Sequence, residues 1–242
     1  MGLVVRQVLA SSRSTATSLA RTFASAVLSG SLLVAGSQYF ASGQSAEATV
    51  SDSVNGTWGT AATTGVFLEL ADGFLQINAF PNSAAGTPQV TMNPPGTSSD
   101  NDLTLFEVTG AATSSPRDVS VTASGSGVNP SVSSGVLAQA NEILFGSFTQ
   151  DSSTTSFTIG GGFTQQDENE DNSTGQCYNI GSLIVSSTSS VNKTDTMGAS
   201  ANWIAVMCSY KEAAAGAATL VKRIPTYRPA PFRPGAASRG VK

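Results

Sequence analysis

In Asp102-Leu-Thr-Leu-Phe-Glu-Val108, and again in Phe74-Leu-Gln-Ile-Asn-Ala-Phe80, apolar side chains alternate with polar ones. A repeat of two residues places all the apolar groups on one side of an extended chain, so both stretches predict half-buried β-strands. The same alternation, or a short apolar burst, recurs at 31–40, 46–51, 65–70, 88–92, 118–122, 142–148, 156–159, 176–185 and 201–210. Between these runs lie turn-forming clusters: Asn55-Gly56, Asn93-Pro-Pro-Gly96, Thr113-Ser-Ser-Pro116 and Gly160-Gly-Gly162. About eleven short strands and no stretch of helical period predict an all-β protein, an antiparallel β-sandwich of the jelly-roll kind.

Composition agrees. The chain has 242 residues, 40% of them hydrophobic and only 12% charged. Soluble domains average about 25% charged residues, so Ser, Thr, Asn, Gln and Gly must cover this surface. All-β sandwiches reach this length as one unit. Histidine is absent, which removes the commonest general base and the commonest neutral metal ligand. The two cysteines, Cys177 and Cys208, fit no zinc spacing. Each sits in an apolar strand, which predicts buried thiols, with a cross-strand disulfide as the alternative. No export signal stands out, because Arg6 interrupts the apolar N-terminus. The longest apolar stretch nearby, 32–35, is too short to span a bilayer, so no membrane is expected among the partners.

The charge distribution carries more than the net −4. Residues 1–21 hold Arg6, Arg13 and Arg21 and no acid, a net +3. Residues 22–210 set Arg117 and Lys193 against fifteen acids, a net −13. Residues 211–242 carry seven bases and one acid, a net +6. The expected organisation is therefore a basic N-terminal arm or first strand over 1–21, a jelly-roll body over 22–211, and a basic, Pro-rich C-terminal arm over 212–242. Within that arm, Arg223-Ile-Pro-Thr-Tyr-Arg-Pro-Ala-Pro-Phe-Arg-Pro-Gly235 is spaced by prolines that forbid helix and favour an extended chain. Arg223, Tyr227, Arg228, Phe232 and Arg233 are its candidate partner-binding residues: apolar anchors and guanidinium forks on a strap of low ordering entropy. The acidic body repels phosphate at close range, so a protein partner is expected and not nucleic acid.

Several segments in order resemble the concanavalin-like jelly-roll domains of bacteriophage structural proteins and some bacterial surface proteins. They are Ser25-Ala-Val-Leu-Ser-Gly-Ser-Leu-Leu-Val-Ala35, Val50-Ser-Asp-Ser-Val-Asn-Gly-Thr-Trp58, the run 80–93, the strand 103–110, Ala140-Asn-Glu-Ile-Leu-Phe-Gly146, Ile159-Gly-Gly-Gly-Phe-Thr164 and Ser200-Ala-Asn-Trp-Ile-Ala-Val-Met207. The resemblance covers about 14–211 and omits the basic tail. It implies a fold and a setting but no shared catalytic residues.

Other constellations are weaker. The cluster Asp167-Glu-Asn-Glu-Asp171 offers hard oxygen ligands for calcium, yet lacks the spacing of a dedicated calcium loop and reads as a solvated acidic loop. No pair of carboxylates is singled out for glycoside hydrolysis. Gly160-Gly-Gly162 reads as a turn, since no lysine or helix follows it. Trp58 and Trp203 read as core, with sugar stacking as the alternative. The expected function is a non-catalytic virion structural protein, a capsid decoration or cement protein on the capsid exterior. It would use no cofactor, dock on the major capsid or another virion protein through its basic arms, and form a homo-oligomer, a trimer by analogy with closed rings. The alternative is a tail-fibre or surface adhesin module that binds carbohydrate.

Overall fold

A computed structural model describes residues 2–11, 13–41, 46–70, 73–150, 156–171 and 176–214. The first part of the chain forms β1 (Val4–Leu9), β2 (Leu19–Thr22), β3 (Leu32–Phe40), β4 (Thr49–Asp52), β5 (Gly56–Thr57), a single helical turn α1 (Ala61–Thr64), β6 (Val66–Leu70), β7 (Gly73–Phe80), β8 (Gln89–Asn93) and β9 (Ser99–Thr109). The second forms β10 (Arg117–Gly127), β11 (Ser131–Ser133), β12 (Glu142–Gln150), β13 (Phe157–Thr158), β14 (Thr164–Asp171), β15 (Gln176–Val185), β16 (Asn192–Thr194), β17 (Thr196–Met197) and β18 (Ala201–Lys211). The protein is an all-β antiparallel sandwich, as the alternation predicts.

The strand order discloses a repeat. One large sheet runs β1-β9-β3-β7-β6 and the other β10-β18-β12-β15-β14. In each, the first strand of its half lies beside the last, and the third strand lies beyond it. Outside the first sheet sits a smaller one, β2-β8-β4-β5, and the pairs β11-β16 and β13-β17 are its counterparts in the second half. Strand β8 has two successors, β16 and β17, separated only by Asp195. Each half therefore wraps like a jelly roll. The unit expected over 22–211 is two such rolls, strands 4–109 and strands 117–211, with the large sheets face to face. Val4–Leu9 pairs with β9, so of the two alternatives for residues 1–21 the first strand is the one observed.

Three apolar cores stack through this arrangement. Leu32, Val34, Leu75, Ile77 and Phe106 of the first large sheet meet Phe145, Tyr178, Ile180, Val206 and Tyr210 of the second. On the far side of the first sheet, Leu33, Ala35, Tyr39 and Phe74 pack against Val50, Val90 and Met92 of the small sheet. On the far side of the second, Leu144, Phe148, Trp203 and Met207 pack against Val132, Phe157 and Met197. Strands β3 and β12 are thus buried on both faces, which is why they read as near-continuous apolar runs and not as alternation.

Gly65 marks the corner between α1 and β6. A Cβ there would lie 1.8 Å from the Ile77 carbonyl oxygen, and that backbone is fixed in the sheet. Its own carbonyl accepts hydrogen bonds from Arg117 Nη1 and Ser120 Oγ, both at 2.9 Å. Gly65→Ala is expected to destabilise the fold by about 1–3 kcal/mol through overpacking, read as a lower urea midpoint. An unchanged midpoint would show that the corner moves aside freely.

Candidate functional site

The five residues expected to bind a partner, Arg223, Tyr227, Arg228, Phe232 and Arg233, lie outside the described residues. The root of their segment is well defined. Lys211 N–H donates to Pro116 O at 2.8 Å, Glu212 N–H to Asn141 O at 3.0 Å and Ala213 N–H to Gly110 O at 2.8 Å. Ala112 N–H donates back to Lys211 O at 2.9 Å. The chain thus leaves β18 gripped between the β9–β10 and β11–β12 connections, at one end of the sandwich. Beside Pro116 is a shallow cavity of about 160 Å³, lined by Thr63, Thr64, Pro81 and Arg117 among others.

The N-terminal bases are used inside the fold. Arg6 Nη1 lies 2.5 Å from Glu107 Oε2 and donates to Ala26 O at 2.8 Å. Arg13 Nη2 is 3.4 Å from Asp102 Oδ2, and Arg21 Nη2 donates to Ala10 O at 2.6 Å. Glu107 is fully buried. It also accepts from Leu28 N–H at 2.7 Å, Gln7 Nε2 at 2.6 Å and Ser31 Oγ at 2.9 Å. Burial alone would raise its pKa, but these hydrogen bonds together hold it below the usual carboxylate range. Arg6 and Arg13 are therefore paired with buried acids inside the fold, while Arg21 donates to a backbone carbonyl.

The acidic cluster is corrected too. Asp167–Asp171 belongs to strand β14, paired with β15, and is not a solvated loop. Asp167 Oδ2 accepts from Ser11 N–H at 2.6 Å and Thr104 Oγ1 at 2.5 Å. Asn169 Nδ2 donates to Asp102 Oδ1 at 2.5 Å. Asp102 stands on β9 in the first large sheet, so the cluster stitches one large sheet to the other. Glu168 accepts from Phe157 N–H at 2.6 Å. Among the described residues, no group of three or more His, Cys, Asp or Glu side chains is placed to hold a metal ion. Charge density along a sequence does not distinguish a solvated loop from an edge strand whose acids find donors, so the period-two rule failed here.

Burial raises the Asp102 carboxyl from its ordinary 3.8 to about 6, against the opposing pull of Arg13 and the hydrogen bond from Asn169. The folded chain then holds this proton more tightly than the unfolded one. Stability contributed by Asp102 is full below 3.8 and falls as pH rises towards about 6. Asp102→Asn is expected to flatten that part of the stability profile, measured as urea midpoints on either side of the window. A profile identical to the parent would show that Asp102 does not titrate there.

Cys177 and Cys208 are buried thiols in no disulfide, and they face different cores. Burial pushes the Cys208 thiol up to about 12, so it is not a nucleophile at neutral pH. Trp58 is 4% exposed and donates from Nε1 to Asp52 Oδ2 at 2.7 Å. Trp203 is 9% exposed and meets Phe148 edge-on at 6.3 Å. Both are core residues, as expected. Gly160-Gly-Gly162 is a turn in which Gly161 and Gly162 have φ of 68° and 79°, a region open to glycine at little cost. One group had no signal in the sequence: Lys193, Asp195 and Asn179 converge in the outer core of the second roll. Their spacing, 14 residues and two, matches no motif.

Among known proteins, no family model, no curated protein and no solved structure matches this chain.

Proposed function

We propose that this chain is a non-catalytic structural protein of a virus particle, a decoration or cement protein on the capsid exterior that docks through its C-terminal arm. The observation that carries the reading is charge segregation with a fixed root. A body of net −13 over 22–210 is followed by a segment of net +6 over 211–242, and the backbone of 211–213 is clamped at one end of the sandwich. Because Arg6 and Arg13 are paired with Glu107 and Asp102, and Arg117 is bound to Ala62 and Gly65 carbonyls, the bases outside the described residues supply the attractive charge. An acidic surface on the major capsid protein or another virion protein is the partner this charge suits. The resemblance of residues 14–211 to phage jelly-roll domains supports the setting. Trp58 and Trp203 are buried, so neither offers an exposed platform for stacking a sugar, which favours the decoration reading over a glycan-binding adhesin. Among the described residues no helix is long and apolar enough to cross a membrane.

The test is co-sedimentation with purified virus particles, comparing the full chain with one ending at residue 214, which keeps the clamped root. The full chain is expected to pellet and the shortened one to stay in solution while keeping its β-sheet spectrum. Attachment should weaken at 1 M salt, where the screening length is about 3 Å. Equal pelleting of both chains, or of neither, would overturn the assignment. A closed homo-oligomer, a trimer, belongs to the same reading. The apolar edge at Leu3, Val4 and Ile184, where Val4 is 52% and Ile184 47% exposed, is surface that self-association would cover. Light scattering of the full chain checks it, and a monomer at all concentrations would remove it.

A further inference from the structure

Lys193 is completely buried in an acidic protein, and its surroundings set it apart from an ordinary ion pair. It stands on β16 in the outer layer of the second roll, and its side chain runs inward over the central sheet. Gly146 on β12 makes room: a Cβ there would meet Lys193 Cδ at 2.5 Å. The amine ends 4.2 Å from the centre of the Phe148 ring and 5.9 Å from that of Phe163. Nζ lies 2.5 Å from Asp195 Oδ2 and 3.4 Å from Asn179 Oδ1. Asn179, on β15, donates from Nδ2 to the same Asp195 oxygen at 2.6 Å. Its Oδ1 also accepts from Phe148 N–H at 3.3 Å. Asp195 Oδ1 accepts from Gly160 N–H at 3.2 Å, which fixes the carboxylate between the two nitrogens. Lys193, Asn179 and Asp195 are 0%, 0% and 1% exposed.

We propose that Lys193 and Asn179 react to form an intramolecular isopeptide bond, with Asp195 carrying the proton between them and ammonia as the product that leaves. Every part of an amide exchange is present. The amine must be neutral to attack, and burial lowers Lys193 from 10.5 to about 8 although Asp195 and Glu168 pull the other way. Nζ already stands 3.4 Å from Asn179 Oδ1, the oxygen bonded to the carbon it would attack, so little further entropy has to be lost on approach. As Nζ bonds to Asn179 Cγ, negative charge gathers on Oδ1, and the Phe148 N–H already points there to stabilise it. Asp195 takes one proton from Nζ and delivers it to Nδ2. The Cγ–Nδ2 bond then breaks, and Nδ2 departs as ammonia. Atoms balance without an oxidant, metal or cofactor, because one amide and one amine become one amide and ammonia. The aromatic walls exclude water that would otherwise compete for the carbonyl carbon.

The bond would tie the central sheet of the second roll, at β15, to its outer strand β16. A plain ion pair holds the same elements only while the fold persists, whereas a covalent link survives denaturation. That difference makes the idea testable in the full chain without any variant. Intact-mass spectrometry of the denatured protein is expected to show a deficit of one ammonia against the sequence. Proteolysis that cuts after Leu183, between the two residues, is expected to leave the peptides carrying Asn179 and Lys193 joined. Trypsin should fail to cut after Lys193. Lys193→Met and Asp195→Asn should each restore the full mass and separate the peptides.

Three results would overturn the proposal. The first is a parent chain of full mass. The second is a deficit of one water, which places the link on a carboxylate. The third is a deficit of ammonia with the two peptides separate, which marks cyclisation of an asparagine alone. A variant that misfolds leaves the parent measurement decisive.

Discussion

Glu107→Ala is expected to lower the stability of the folded chain by about 3–5 kcal/mol, the cost of breaking a buried, charge-bearing network from one side. Glu107 is on β9, yet its carboxylate serves four groups from two other places: Arg6 and Gln7 on β1, and Leu28 and Ser31 on the way into β3. Alanine leaves the Leu28 N–H and the Ser31 hydroxyl with no acceptor in a dry site, and leaves the Arg6 guanidinium against an empty space. Glu107→Gln keeps the shape and one acceptor oxygen, so it should cost clearly less. Urea denaturation followed by tryptophan fluorescence measures both. The same carboxylate predicts acid sensitivity. Its folded pKa is lowered, so its contribution is complete above the ordinary carboxylate range and is lost as pH falls through the folded value. A loss below about 1 kcal/mol for alanine, typical of an exposed pair, would show that solvent replaces the missing acceptor.

Phe145→Ala should be of similar size, about 3–5 kcal/mol, for a different reason. Its ring is fully buried between the two large sheets, 4.8 Å from Phe106 and 6.2 Å from Tyr210. Strand β12 pairs on both sides, with β15 and with β18, and packs on both faces, so the backbone has nowhere to collapse into the space left behind. The cavity term therefore adds to the lost transfer energy. Val136, 77% exposed, is the control: Val136→Ala should stay within about 0.5 kcal/mol. If the two substitutions cost the same, the two rolls do not share a rigid core.

The expected strands were found where a run was long or flanked by clear turns. The run 74–80 falls within β7, Gly73–Phe80, and 176–185 matches β15 residue for residue. The strands without a signal were short or polar: β2, β5, β11, β16 and β17 have two to four residues each, too few for any period to register. Strand β14, Thr-Gln-Gln-Asp-Glu-Asn-Glu-Asp, was hidden because it has no apolar alternation, and Asp167 finds its donors only in the fold, at Ser11 and Thr104.

The candidate sites divide in the same way. The basic tail is legible from charge alone, whereas the Lys193 group is not, since its members come from β15, β16 and the residue just after β16 and meet only through packing. The sequence by itself determined the class of fold, the burial of both cysteines and both tryptophans, and the polarity between body and tail. These depend on which residues dislike water and which carry charge, and both are properties of the residues themselves. The two-roll architecture needed tertiary structure. Ala35-Gly-Ser37 in β3 and Phe145-Gly-Ser147 in β12 look equivalent, yet a Cβ on Gly36 would meet Ile180 between the large sheets, while one on Gly146 would meet Lys193 on the outside. Side chains alternate sides along a strand, so a shift of one residue exchanges the faces. Only pairing with neighbouring strands decides which face each residue takes, and so which of the buried polar groups meet.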